Sequence, residues 1–211
     1  MEADITQTLD AGVTAQREET LVTARLAGFL PGDLTEEQAE VYRAITGGPR
    51  AAGPQAFALT EADGRLRGPF NAMLLSPPVG QALQSVGAAV RYHSVLTARV
   101  RELVILVVAA HWDSDFERSA HEAVGRACGL TAAELAAVRA GDRSAVTDPV
   151  ELVALDTART LVRTGCLDAA GYAAAVAALT ERGLFELTTL VGYYGLLALQ
   201  LRVFAGEGPG A

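Results

Sequence analysis

Glu102, Glu117 and His121 are the residues of this 211-residue chain whose types and spacing suit proton transfer. Ser114, Glu117 and His121 fall at i, i+3 and i+7, so a helix starting after Asp113 carries all three on one face. Glu102 stands at the edge of the apolar run Leu103 to Ala110, where a carboxylate must be paired or protonated to be tolerated. If the segments 96–112 and 114–128 fold back on each other at Asp113-Ser114-Asp115, Glu102 lies about 16 Å and His121 about 12 Å from the turn, at ~1.5 Å per residue. The two can then face each other, and a carboxylate beside an imidazole between packed helices is a general acid/base pair. The same spacings also describe a plain capping box, Ser114–Glu117, and an ordinary i,i+4 pair, Glu117–His121, so a structural role stands beside the catalytic one. A metal held by Glu102, Glu117 and His121 would want a second histidine on that face, so no metal site is expected.

Composition narrows the chemistry further. All 17 basic residues are arginine, which leaves no lysine for a Schiff base, for pyridoxal phosphate or for a phosphate-binding loop. With 25 acids the formal charge is −8, and no basic run is present; nucleic acid and anionic membrane surfaces are not expected partners, whereas a small molecule is. Cys128 and Cys166 form no Cys-x-x-Cys and have no histidine at zinc-finger spacing, which fits a reduced, cytoplasmic protein. The first residues, Met-Glu-Ala-Asp, carry no export signal, and the apolar stretch Leu187 to Leu201 is shorter than a membrane span and reads as a buried core helix.

The elements that position these groups are helices. Thr35–Gln38, Ser114–Glu117 and Thr131–Glu134 each have the form of a capping box, and Asp148-Pro149-Val150-Glu151 supplies a cap, a proline at the first helical position and an acid in the first turn. Ala/Leu/Val segments with 3.6-residue periodicity fill most of the chain, so the expected class is all-α, in one domain. Residues 1–33 read as an N-terminal helical extension. Residues 47–80, punctuated by Gly47, Gly48, Pro49, Gly53, Pro54, Gly64, Gly68, Pro69, Pro77 and Pro78, read as a long arm or loop kept ordered by Phe57, Leu66, Phe70, Met73, Leu74 and Leu75.

Four ordered motifs run through this framework. They are Gly68-Pro69-Phe70-Asn71-Ala72-Met73-Leu74, Leu96-x-x-Arg99-x-Arg101-Glu102-Leu103, Phe116-Glu117-x-x-x-His121 and Glu186-Leu187-x-x-Leu190-Val191-Gly192-Tyr193-Tyr194. Together, from about Leu34 to Phe204, they resemble the carboxymuconolactone decarboxylase and AhpD-like superfamily. The resemblance implies a single-domain AhpD-like helical bundle that assembles as a homo-oligomer, commonly a trimer or hexamer. In the superfamily's peroxidase branch the glutamate is followed by Cys-x-x-Cys and then by histidine. Here Ser114 and Glu117 occupy the two cysteine positions, and neither can form a disulfide or a peroxidatic thiolate, so peroxidase activity by that route is not expected.

The decarboxylase branch uses no metal or organic cofactor and moves protons on a small lactone carboxylic acid. By resemblance His121 is the general acid/base, Glu102 its orienting or relay partner and Glu117 a second proton-transfer group. Ser114 and His93 line the pocket, and Arg99 or Arg101 pairs with a substrate carboxylate, with Glu102 or with a neighbouring subunit. Arg118 stands where the family often has tryptophan. The alternative is a non-catalytic ligand-binding or structural oligomer on the same scaffold. Tyr193 and Tyr194 read first as core, and His111 as a partner of its helix's C-terminal dipole.

Overall fold

Every residue from Leu103 to Ala109 is buried in the computed structural model, which describes residues 25–52 and 57–205. That run belongs to α4 (Ala98–Trp112), the centre of an all-α protein. Before it come α1 (Glu36–Thr46), α2 (Pro69–Met73) and α3 (Pro77–Tyr92); after it come α5 (Asp115–Ala127), α6 (Ala132–Arg139), α7 (Pro149–Thr164) and α8 (Ala169–Gln200). A helix apolar on all sides has no face to offer water, and α4 is accordingly packed by α5, α6, α7 and α8. Leu103, Val104, Ile105 and Val108 are fully enclosed, so truncating any one of the larger of them to alanine removes about 2–5 kcal/mol.

Local chemistry sets the helix ends. Thr35 and Thr131 form reciprocal capping boxes with Gln38 and Glu134, and Asp148 caps α7 through the Val150 and Glu151 amides, with Pro149 in the first turn. α4 closes on Asp113, whose φ of 51° and ψ of 47° are left-handed, while Ser114 N–H donates to the Ala109 carbonyl at 3.0 Å. A short polar side chain tolerates that conformation, and the turn folds α5 back along α4. Ser114 is the N-cap residue of α5, but its side chain makes no capping hydrogen bond. The Ser114–Glu117 capping box read from the sequence is thus not formed.

Two sequence readings change. Of the helical extension placed at 1–33, residues 1–24 lie outside the described residues, and the rest ends in a 3-10 turn at Pro31–Asp33 where Gly28, Pro31 and Gly32 deny a regular helix. The arm placed at 47–80 is shorter, because its later prolines start helices: Pro69 opens α2 and Pro77 opens α3, positions where the missing N–H costs nothing. What remains is a 3-10 turn at Pro49–Ala51 and a loop closed by a Thr60–Leu66 bridge.

α8 with the π turn that follows it is the one helix, among the described residues, long and apolar enough to cross a membrane. It is kinked at Thr180 (φ 67°, ψ 166°), whose hydroxyl re-caps the second half by accepting from Gly183 N–H. That half buries Leu187, Leu190, Tyr193, Tyr194 and Leu197 in the core shared with α4. Glu186 ties it to the α3–α4 loop, accepting from Ser94 and from Val95 N–H at 2.7 Å each.

Arg99 locks the opposite side. Its guanidinium bonds Glu151 through Nε and Nη2, Glu134 through Nη2 at 2.5 Å and the Gly129 carbonyl through Nη1, joining α4, α6 and α7. These carboxylates hold the Arg99 pKa above its ordinary value. Burial alone would raise the Glu134 pKa, but the Thr131 and Arg99 bonds outweigh it and bring it below the ordinary range. Arg99 is therefore a clamp and does not face a substrate. Arg99→Ala is expected to cost about 2–4 kcal/mol in urea unfolding at neutral pH, because it strands two nearly buried carboxylates. With its folded pKa depressed, Glu134 contributes fully above the unfolded value of about 4.3, and that contribution is lost as pH falls through the folded value. Wild-type stability should therefore drop through this range, and the drop should be smaller in Arg99→Ala.

Candidate active site

Glu102 on the second turn of α4 and His121 on α5 meet across the helical hairpin, with His121 Nδ1 2.7 Å from Glu102 Oε2. Both are buried, at 3% and 4% exposure, so the contact is shielded from water and little screened. The contact engages Nδ1 and so orients the imidazole ring on α5 against α4. Tyr194 closes on the ring edge-to-face, centroids 4.9 Å apart, and Tyr193 packs on Tyr194 in the same manner at 5.4 Å.

His121, Tyr193 and Tyr194 border a small cavity of about 20 Å³, room for about one water molecule. Arg50, Arg91, Glu117, His121, Tyr193 and Tyr194 supply its polar wall, and Phe57, Phe70 and Phe116 its apolar one. Burial pushes both tyrosine pKa values up, Tyr194 above the ordinary phenol range despite the nearby Arg91 charge, so both are proton donors at neutral pH. Arg50 is buried and spoken for: Nη1 donates to Gln84 Oε1 at 3.1 Å, Nη2 to the Gln84 carbonyl at 2.8 Å, and the guanidinium also bonds Tyr193 and lies over the Phe70 ring. Arg91 is different. It makes no ion pair among the described residues, and although burial would lower its pKa, its acidic surroundings, Glu102 among them, raise it.

The structure brings together Glu102, His121 and Glu117, and it buries Ser114 at the start of the same helix. It separates the rest. Arg99 is bound to Glu134 and Glu151, Arg101 donates to the Leu96 carbonyl at 2.7 Å, and His93 is the exposed C-cap of α3. The cations at the cavity are instead Arg50 and Arg91. Arg91 had a signal, since Gln84, Gly87 and Arg91 repeat on α3 the i, i+3, i+7 stripe that singles out Ser114, Glu117 and His121 on α5. Arg50 had none, because its place depends on how a Gly/Pro-rich segment folds over α3. Cys128 offers no replacement thiolate: burial, and then the Glu102 charge, push its thiol pKa up. Among the described residues no group of three or more His, Cys, Asp or Glu side chains is placed to hold a metal ion.

A glutamate and a histidine joined across an α4–α5 hairpin are what the sequence resemblance implies, and comparison by sequence decides where it holds. Residues 77–160 match the carboxymuconolactone decarboxylase family. That segment of the family contains Glu102, Ser114, Glu117 and His121, together with Arg91. No curated protein matches the chain. Among solved structures the chain is similar to an uncharacterised peroxidase-related protein from Silicibacter sp. TM1040, with 16% identity, a TM-score of 0.68, and 95% of this chain and 96% of that one covered. It is also similar to the debrominase Bmp8 in complex with 2,3,4-tribromopyrrole, with 13% identity, a TM-score of 0.64, and 88% and 90% covered. At such identities the likeness is one of fold, and it extends over nearly the whole chain.

Gly87 permits the cavity's polar wall. A Cβ at this position would fall 2.2 Å from the Tyr193 hydroxyl and 2.5 Å from Arg50 Nη2. Gly87→Ala is expected to push both side chains off α3, with the clash outweighing alanine's better helix propensity by about 1–2 kcal/mol. Thermal unfolding measures the cost, and an unchanged midpoint would mean the wall yields freely.

Proposed function

We propose that the chain is a cofactor-independent acid/base enzyme, of lyase or isomerase type, acting on a small carboxylated lactone or related cyclic metabolite. The observation that carries this reading is the buried 2.7 Å His121–Glu102 contact beside a cavity whose wall holds His121 and also Arg91, a cation that makes no ion pair among the described residues. In a decarboxylation the bond to the substrate carboxylate breaks, carbon dioxide leaves and the electron pair passes through the ring to a carbonyl oxygen. The protonated phenols of Tyr193 and Tyr194 are the donors suited to that oxygen, and Arg50 and Arg91 supply positive potential for an anionic substrate. His121, having taken up one proton from solvent, delivers it to carbon with Glu102 stabilising the imidazolium, while the enol oxygen gives its proton back to the phenolate as the carbonyl re-forms. Glu117 is the second group able to exchange a proton there. A structural neighbour described in complex with tribromopyrrole supports a small ring as the kind of molecule this fold accepts.

The cavity volume favours a second reading. Room for one water admits no lactone unless Arg50, Phe57 and Phe70 draw back, and a wall that never does so makes the same residues a closed structural network. Carboxymuconolactone, with carbon dioxide release as readout, separates the two. The enzyme reading expects Glu102→Gln and His121→Ala to lower turnover by about 100-fold or more, with far-ultraviolet circular dichroism unchanged for the isosteric Glu102→Gln. It also expects Arg91→Gln to act mainly through KM. If carboxylated lactones are bound without product, or if both dyad variants turn over at the wild-type rate, the structural reading replaces it.

The proposed assembly is a homo-oligomer. Phe185, Gly192, Leu196, Leu199 and Val203 are exposed or half-exposed along α8 and its last turn at i, i+7, i+11, i+14 and i+18, the heptad spacing of a helix that packs on another helix. Leu199→Glu is expected to shift the sedimentation coefficient of the protein towards that of the single chain.

A further inference from the structure

Away from the dyad, α4, α6 and α7 end together around a cleft of about 370 Å³, within the range that holds small ligands. Its walls are apolar, from Val107, Ala110, Val138 and Val162, and its ionisable lining consists of Arg139, Arg159, Arg163 and His111, with no acid among them. On a chain of formal charge −8, a concavity lined by cations and by no acid calls for an explanation.

Helix dipoles explain part of it. His111, Arg139 and Arg163 each lie in the last turn of their helix, where a cation offsets the negative C-terminal end. Arg139 is further balanced by Glu122. Arg159 fits neither account. It lies a turn before the end of α7, and its Nη2 donates only to a neutral group, the Asp142 carbonyl, at 2.7 Å. The two acids nearest in electrostatic terms are already engaged, Asp142 by Ser144 and the Arg143 amide, and Asp156 by the Arg143 guanidinium. Burial outweighs the Asp156 and Asp142 charges and, with the Arg143 charge added, lowers the Arg159 pKa. Arg163 and His111 likewise have no ion pair among the described residues.

We propose that this cleft is a binding site for a small organic anion, a carboxylate or phosphate head carried on an apolar body. Arg159 and Arg163 hold the head, and Val107, Val138 and Val162 receive the body. The site is independent of the dyad and stands whether or not the chain is an enzyme.

Isothermal titration of the whole protein at low ionic strength tests it, with benzoate and inorganic phosphate as probes. Saturable binding of one anion per chain is expected, weakened about tenfold by Arg159→Gln and by Arg163→Gln and unchanged by Arg91→Gln. Tighter benzoate identifies a carboxylate ligand and tighter phosphate a phosphorylated one. Arg163 is exposed, so its variant reads binding even if Arg159→Gln fails to fold. The proposal falls if neither probe gives saturable heat up to about 10 mM, or if Arg91→Gln removes the binding while Arg163→Gln leaves it intact, which places the anion at the dyad.

Discussion

A carboxylate near the start of a helix enclosed on every side must find a partner, and the position of Glu102 imposes that condition on this fold. α4 cannot turn Glu102 towards water without exposing the run from Leu103 to Ala109, so the partner has to come from another helix. His121 supplies it, which fixes how α5 lies along α4 and requires the left-handed turn at Asp113. The second half of α8 then seals the pair with Tyr194 against the imidazole. Packing and site are one arrangement here, because the polar contact that holds α4 and α5 in register is also the contact between the candidate site's carboxylate and its imidazole.

Much of this was legible in the residues. Capping at Thr35, Thr131 and Asp148, the all-round apolar α4 and the common face of Glu117 and His121 follow from local rules that tertiary structure did not override. The all-α class and the family segment follow as well. What was not legible depended on distance in the chain. Pro69 and Pro77 look like breaks until their helices are seen to start on them, and Arg50 reaches the cavity only because its loop crosses α3 at Gly87. Arg99 precedes Glu102 by three residues and so lies near it on the helix surface, but its long side chain reaches instead to Glu134 and Glu151, and their closeness to it depends on how α6 and α7 pack.

Ser114 and Glu117 define what chemistry the hairpin retains. With cysteines in these places the first turn of α5 would present thiols to the Glu–His pair; with serine and glutamate it presents a hydroxyl and a second carboxylate, both buried. Neither side chain can undergo two-electron thiol oxidation, whereas both can exchange protons. The raised thiol pKa of Cys128 agrees, since burial, and after it the influence of Glu102, holds the thiol in its less nucleophilic form.

A lysine-free chain also changes how charge can be used. Arginine stays protonated in any surroundings this core offers, so burying one commits a fixed positive charge, whereas a buried lysine can discharge. The chain spends these charges in distinct ways. Arg99 balances two carboxylates, Arg50 is bound to a carbonyl, an amide and a phenol, and Arg91 and Arg159 face cavities without an ion pair among the described residues. A permanent charge on a concave wall that makes no ion pair keeps its capacity to attract an anion, whereas one already paired with a carboxylate does not.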